Sequence, residues 1–158
     1  MPYSAFHKAF PDIARSETRT VTVLQPLKGL PPAEYAFLEM YCDERGCDCR
    51  RVFLYVISPG AKGTLAVIAY GWERRDYYVR WMGDADPAWI DSLKGPALNL
   101  ASPQSDLAVP LLELFRKYLL PDKEYIDRIK RHYSLFRGKI ARSRRARRPP
   151  KVLGPRRL

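Results

Sequence analysis

Polar and apolar residues alternate from Thr18 to Leu24, a stretch rich in β-branched side chains, which predicts a strand. Gln25 to Pro32 breaks it with prolines and a glycine. Pro32 suits the first position of a helix, so a helix is expected from there to Met40 or Tyr41, with Tyr35, Leu38 and Phe37 on its apolar side. Arg51–Ile57 and Thr64–Trp72 read as two strong strands joined by a hairpin loop at Ser58–Gly63. Tyr77–Met82 reads as a third, after the charged turn Glu73–Asp76.

Beyond Gly83 the pattern turns helical. Asp86 followed by Pro87 is a helix-start signature. Gly95–Pro103 reads as a loop. A helix capped by Ser105 is expected to run to Leu120, kinked at Pro110. A last helix, capped by Asp122, spans Lys123 to about Arg137 with Tyr125, Ile126, Ile129, His132, Tyr133 and Phe136 inward, and Gly138 is the expected stop. These elements define an α+β class: an antiparallel sheet of three or four strands packed by the C-terminal helices.

At 158 residues the chain fits one domain with extensions, and 46% apolar residues are enough for a core. The expected organisation is an N-terminal arm over 1–15, a domain over 16–136 and a tail over 137–158. No signal-peptide pattern opens the chain and no apolar run approaches a membrane span, so a cytoplasmic protein without a membrane partner is expected.

All three cysteines lie within eight residues, at Cys42, Cys47 and Cys49. Their odd number does not make a disulfide framework. Cys47 and Cys49 can aim their sulfurs at one point, and Cys42 reaches it if the chain turns at Gly46. That is the pattern of three ligands of a thiolate zinc site needing a fourth. His132, on the apolar side of the last helix, is the first candidate and His7 the second. Asp43, Glu44 and Asp48 are less typical partners. The alternative is two free thiols at a strand start and a core cysteine at a helix end. Arg50 and Arg51 either temper the charge of the cluster or sit at an exposed strand start.

The net charge of +11 is unevenly placed. Residues 137–158 hold ten Lys and Arg and no Asp or Glu, so 11 − 10 leaves +1 for the rest. Arg137, Lys139, Arg142, Arg144, Arg145, Arg147, Arg148, Lys151, Arg156 and Arg157 are therefore the candidate nucleic-acid contacts, neutralising phosphates. A solubility tail is the alternative. Pro149 and Pro150 bar a helix to the end, though a bound tail can extend the last helix to about Arg148. Trp72, Trp81 and Trp89, with Tyr70, Tyr77 and Tyr78, are expected mainly in the core, with base stacking as the other use. No phosphate loop, Gly-x-Ser-x-Gly or His-Glu-x-x-His motif is present.

Tyr41-Cys-x4-Cys-Asp-Cys-Arg-Arg-Val, Ala69-Tyr-Gly-Trp-Glu, Asn99-Leu-Ala-Ser-Pro-Gln-Ser and Arg131-His-Tyr-x-x-Phe-Arg together resemble a group of small bacterial proteins of unassigned activity. The likeness covers about residues 35–137. It implies a cytoplasmic bacterial protein with a metal-binding cysteine cluster, adds weight to His132 and implies no activity. Some of the group are similar in layout to proteins with SEC-C type zinc-binding segments; here the third cysteine precedes the Cys-x-Cys instead of following it. The Arg-rich tail is not a feature of the group.

The expected function is a zinc-stabilised, non-enzymatic protein associated with RNA or DNA, its tail supplying most of the affinity. The alternatives are an adaptor, such as a subunit of a larger nucleoprotein complex, and a thiol-dependent enzyme in which Arg50 and Arg51 lower the pKa of Cys49.

Overall fold

The computed structural model describes residues 3–83 and 86–146, the last three of these as backbone only. Within them the chain is α+β, with one antiparallel sheet of six strands in place of the three or four expected. The strands are β1 (Tyr3–Ala5), β2 (Arg19–Val23), β3 (Ala33–Cys42), β4 (Arg51–Ile57), β5 (Ala66–Gly71) and β6 (Ala97–Leu98). The helices are α1 (Phe6–Ala9), α2 (Pro11–Glu17), α3 (Arg75–Met82), α4 (Pro87–Lys94), α5 (Ala108–Leu114) and α6 (Lys123–Ala146). None of the described helices is long and apolar enough to cross a membrane.

The segment expected to be a helix from Pro32 is the central strand. In β3, Tyr35, Phe37, Glu39 and Tyr41 all point into the helix-covered face, with half-buried residues between them. The period is therefore two. It is hard to see in the sequence because one inward position is a glutamate, which breaks the apolar alternation. Both edges of β3 are paired. One takes β4 along Ala36–Met40, and the other takes β2 along Ala33–Phe37 and β1 along Met40–Cys42. Between β1 and β2 the chain leaves the edge as α1 and α2 and returns at Thr18, so the expected N-terminal arm is woven into the fold.

Tyr77–Met82, expected as a strand, is instead most of α3. Its tyrosines, valine and tryptophan suit a strand by local preference, but the ends specify a helix. Gly83, at φ 67°, supplies the left-handed stop, its N–H bonding the Val79 carbonyl. Only Tyr78 is buried on α3, so one face meets the sheet. The sheet continues from β5 to the two-residue β6, inside the expected Gly95–Pro103 loop.

The helical half follows the sequence more closely. The Asp86 carboxylate accepts the Ala88 N–H at 2.9 Å and caps α4. Ser105 accepts from the Leu107 N–H at 3.1 Å and donates to the Leu65 carbonyl at 2.7 Å, tying the α5 approach to the sheet. Pro110 sits in the first turn of α5, where its missing N–H costs nothing, so it makes no kink. The irregularity comes later, as a π-helical turn at Phe115–Leu119. Asp122 caps α6 at the Tyr125 N–H, 3.2 Å away.

The helix then passes through Gly138 and runs to Ala146, ten residues into the expected tail. Phe136 is buried in the main core and Ile140 packs against it, which offsets the roughly 1 kcal/mol that a helix-interior glycine costs. That core lies between the sheet and α1, α5 and α6. A smaller cluster of Phe53, Val67 and Ala69 with Tyr3, Met40 and Tyr55 covers the other face.

Two glycines give opposite expectations. A Cβ at Gly71 would overlap the Tyr78 hydroxyl, which is pinned between the Arg50 carbonyl and the Glu73 N–H. Gly71→Ala should cost about 1–3 kcal/mol in urea unfolding. At Gly138 the nearest atom is the flexible tip of Arg142 at 3.4 Å, so Gly138→Ala should gain about 0.5–1 kcal/mol. Equal effects at the two positions would contradict this packing.

Candidate metal centre

An antiparallel hairpin brings the end of one strand beside the start of the next. Cys42 ends β3 and Cys49 stands two residues before β4, so the pairing that builds the sheet also converges these two side chains. The intervening loop folds back at a turn in which the Cys47 N–H bonds the Glu44 carbonyl at 3.3 Å. Gly46, at φ 71°, supplies the left-handed residue of that turn. The three sulfurs lie within 4.8 Å of one another, with Cys42 and Cys49 buried and Cys47 half-buried. Three sulfurs sharing an ion at about 2.3 Å sit about 3.8–4.0 Å apart. The trio thus needs only small side-chain adjustments to hold a metal ion.

The loop is fastened from three sides. Ser4 of β1 donates to the Asp43 carboxylate. From α3, the Tyr77 hydroxyl donates to the Asp48 carbonyl and the Tyr78 hydroxyl to the Arg50 carbonyl. From α6, the Tyr133 hydroxyl donates to Asp48 Oδ1 at 3.2 Å and accepts the Arg50 N–H at 3.3 Å. Arg137 donates to the Cys42 carbonyl at 2.8 Å and the Glu44 carbonyl at 2.9 Å. Arg50 itself has φ 49°, an uncommon conformation for a side-chain-bearing residue. Its guanidinium is held by Asp48 at 2.9 Å and Glu73 at 3.2 Å.

The electrostatics set a condition on the thiols. Burial pushes the Cys42 thiol up, and burial together with the neighbouring Cys47 and Cys42 pushes Cys49 up to about 12. Backbone N–H groups of Glu44 and Arg51 bond the sulfurs of Cys42 and Cys49 and pull the other way. Those amides are in place to support thiolates, yet the thiolates form only when a cation meets the burial cost. A bound metal ion is such a cation.

His132 does not join the trio. Its ring is 1% exposed, stacked on Phe6 at 4.2 Å between centroids, and engaged at both nitrogens. Nδ1 meets Glu39 Oε2 at 2.7 Å and Nε2 meets Glu17 Oε2 at 2.5 Å. The Tyr41 hydroxyl also donates to Glu39 Oε2, at 2.6 Å. Burial disfavours the charged ring, but the carboxylates of Glu39 and Glu17 outweigh it and the pKa of His132 is raised. The Arg131 guanidinium and then His132 hold Glu17 down at about 2. His7, on α1, is also outside the trio. Among the described residues no fourth His, Cys, Asp or Glu ligand atom shares the cysteine cluster.

The other expected site residues are dispersed. Arg137 braces the cysteine loop, and Lys139 donates to the Ala9 carbonyl at 2.6 Å and lies over the Phe10 ring. Arg142 is exposed on α6. The side chains of Arg144 and Arg145, and all of Arg147, Arg148, Lys151, Arg156 and Arg157, lie outside the described residues. Tyr70 and Tyr78 are core, Trp72 packs edge-on against Tyr133, and Trp81 and Trp89 stand exposed on separate helices. Sequence reasoning did not find the Glu17–His132–Glu39 group. A buried glutamate at an inward strand position was its one sequence-level sign.

Comparisons with protein-family models, curated proteins and solved structures found no match for the chain.

Two expectations follow for His132. His132→Ala leaves Glu39 buried without its charged partner and should cost about 3–5 kcal/mol of stability. Bound metal per folded chain, read by elemental analysis, should be unchanged. Metal loss from a chain that remains folded would make His132 a ligand after all. For pH, a raised histidine pKa means that the pairing contributes fully below the unfolded value of 6.5 and is lost as pH rises through the folded one. Glu17, lowered from 4.5 to about 2, contributes above 4.5 and loses its contribution as pH falls towards 2. Urea midpoints should therefore be highest between about pH 4.5 and 6.5 and decline above that window. His132→Gln should flatten the decline, and an equal decline in the variant would assign it to other groups.

Proposed function

We propose that the chain is a zinc-stabilised, non-enzymatic protein associated with nucleic acid, related to the small bacterial proteins whose motifs it resembles. The observation that carries the first half is the convergence of Cys42, Cys47 and Cys49 within 4.8 Å on a loop fastened to β1, α3 and α6. Zinc is the ion of choice for a thiolate-rich, redox-inert structural site. The thiol-enzyme reading is disfavoured by the same cluster, because a nucleophilic cysteine needs a lowered pKa and Cys42 and Cys49 are raised.

The second half rests on charge. Ten cations without one anion in residues 137–158, against +1 elsewhere, are suited to a phosphate backbone. Arg137 and Lys139 are spent on the fold, so eight of the ten remain, starting with the exposed Arg142. The sequence-independent character of such contacts implies weak specificity.

The test uses the intact chain and a variant with Arg144, Arg145, Arg147, Arg148, Lys151, Arg156 and Arg157 changed to Gln. Truncation after Phe136 is unsuitable, since it would remove Arg137 and the last turns of α6. If about six phosphates are engaged, log K against log salt should fall with a slope of about −5 on duplex DNA and about −4 on a single strand. The variant should stay folded with its metal and lose most of the binding. Tight binding retained by the variant would move the interface to the exposed Trp81 and Trp89 helices. No binding by either protein would favour the adaptor reading.

A further inference from the structure

We propose that the pocket between the tight turn at Leu27 to Leu30 and the helix running from α5 into the π-helical turn binds a small amphiphilic carboxylate. The ligand class is a short apolar chain ending in one carboxylate, and its site is separate from the cysteine loop. The pocket follows from how two segments meet. Between β2 and β3 the chain reverses in a turn where Leu27 and Leu30 exchange backbone hydrogen bonds of 3.0 and 2.8 Å. Its two central residues, Lys28 at φ 43° and Gly29 at φ 92°, both have left-handed backbone, a pair for which Asn-Gly is the usual choice. A lysine held there is uncommon. The turn rests on α5, since a Cβ on Gly29 would sit 3.2 Å from Pro110 Cγ. The facing wall includes Leu114 and then Lys117 and Tyr118 of the π-helical turn, an irregularity frequent at functional sites. The two segments enclose about 230 Å³.

The lining selects the class of ligand. Leu27, Leu30, Val109, Pro110 and Leu114 give it an apolar wall, which asks for an apolar body. Val109 and Tyr118 stay exposed and lie towards the mouth. The charged residues of the lining are Lys28, Lys117 and Glu113. Glu113 is paired with Arg116 at 2.6 Å, whereas Lys28 and Lys117 make no ion pair among the described residues. Lys117 lies over the Tyr118 ring, 5.3 Å from its centroid. The two lysines thus leave the pocket with a positive excess, which an anionic head group complements and a cationic one does not. The volume falls below the roughly 300–1,000 Å³ of pockets for drug-sized ligands, so the apolar body is limited to a short chain.

Titration of the full-length chain with octanoate and with octylammonium, followed by proton–nitrogen NMR, tests both halves of the proposal. Octanoate should shift the amide resonances of Leu27, Leu30, Val109, Leu114 and Tyr118 and saturate at one per chain. Octylammonium, with the same apolar body and the opposite charge, should bind more weakly. The double variant Lys28→Asn, Lys117→Gln should weaken octanoate by between about twofold and about thirtyfold, the range that two exposed ion pairs span. Both positions are exposed and Asn tolerates the left-handed backbone, so stability in urea should not fall. Octanoate shifts confined to residues beyond Phe136 would mean that the basic tail alone attracts the anion, and would overturn the proposal. Equal binding of the two octyl ligands would overturn it too, as would undiminished octanoate affinity in the double variant. Shifts of the same amides with protein concentration alone would give the pocket to a second copy of the chain. Tighter binding of the acetylated peptide amide Glu-Leu-Glu than of octanoate would give it to a protein segment. Either result would equally contradict a small-molecule site.

Discussion

Burial raises the thiols of Cys42 and Cys49, yet the groups around them are placed to receive thiolates. Backbone amides of Glu44 and Arg51 face two of the sulfurs, and the Arg137 guanidinium brings positive charge beside Cys42. Without a cation at the centre, burial keeps Cys42 and Cys49 neutral and these groups have no thiolate there to receive. With one, they become the supporting shell that orients ligands and moderates their charge. The hairpin of β3 and β4, the helix α3 and the last helix all send side chains to this loop.

A second polar group does comparable work three residues back along the same strand, at Glu39. His132 bridges Glu39 of β3 and Glu17 of α2, while Arg128 donates to the Glu17 carbonyl at 3.0 Å. This group and the Phe6–His132 stack hold the first two helices against α6. Buried ion pairs stabilise little compared with apolar substitutes, but they tolerate few alternative arrangements. On this reading the two clusters fix the position of α6 relative to the sheet at two points, Arg137 near the cysteines and His132 near the glutamates. The direction in which the basic end of α6 leaves the domain follows from that placement.

Much of this was legible in the chain. The α+β class, β4, β5, the Asp86 and Asp122 caps and the gathering of the cysteines all came from local pattern. What escaped did so for physical reasons. β3 carries a glutamate at an inward position because its partner is a histidine 93 residues away, and no local window contains that fact. α3 has strand-like residues, and only its packing through Tyr78 and the stop at Gly83 make it helical. β1 and β6, at three and two residues, are too short to show a period and exist because an edge is available to pair with. His132 was recognisable as an inward histidine, but whether it met a metal or a carboxylate depended on long-range contacts. Gly138 looked like a helix stop, yet the packing of Phe136 and Ile140 carries α6 past it.

The central claim is that a metal ion completes the cysteine hairpin. Elemental analysis of the full-length protein, purified without added metal, tests it most directly when paired with the Cys42→Ser and Cys49→Ser variants. The account predicts about one zinc per chain, lost in both variants along with stability. A fully folded chain with no bound metal, as stable as its serine variants, would contradict it.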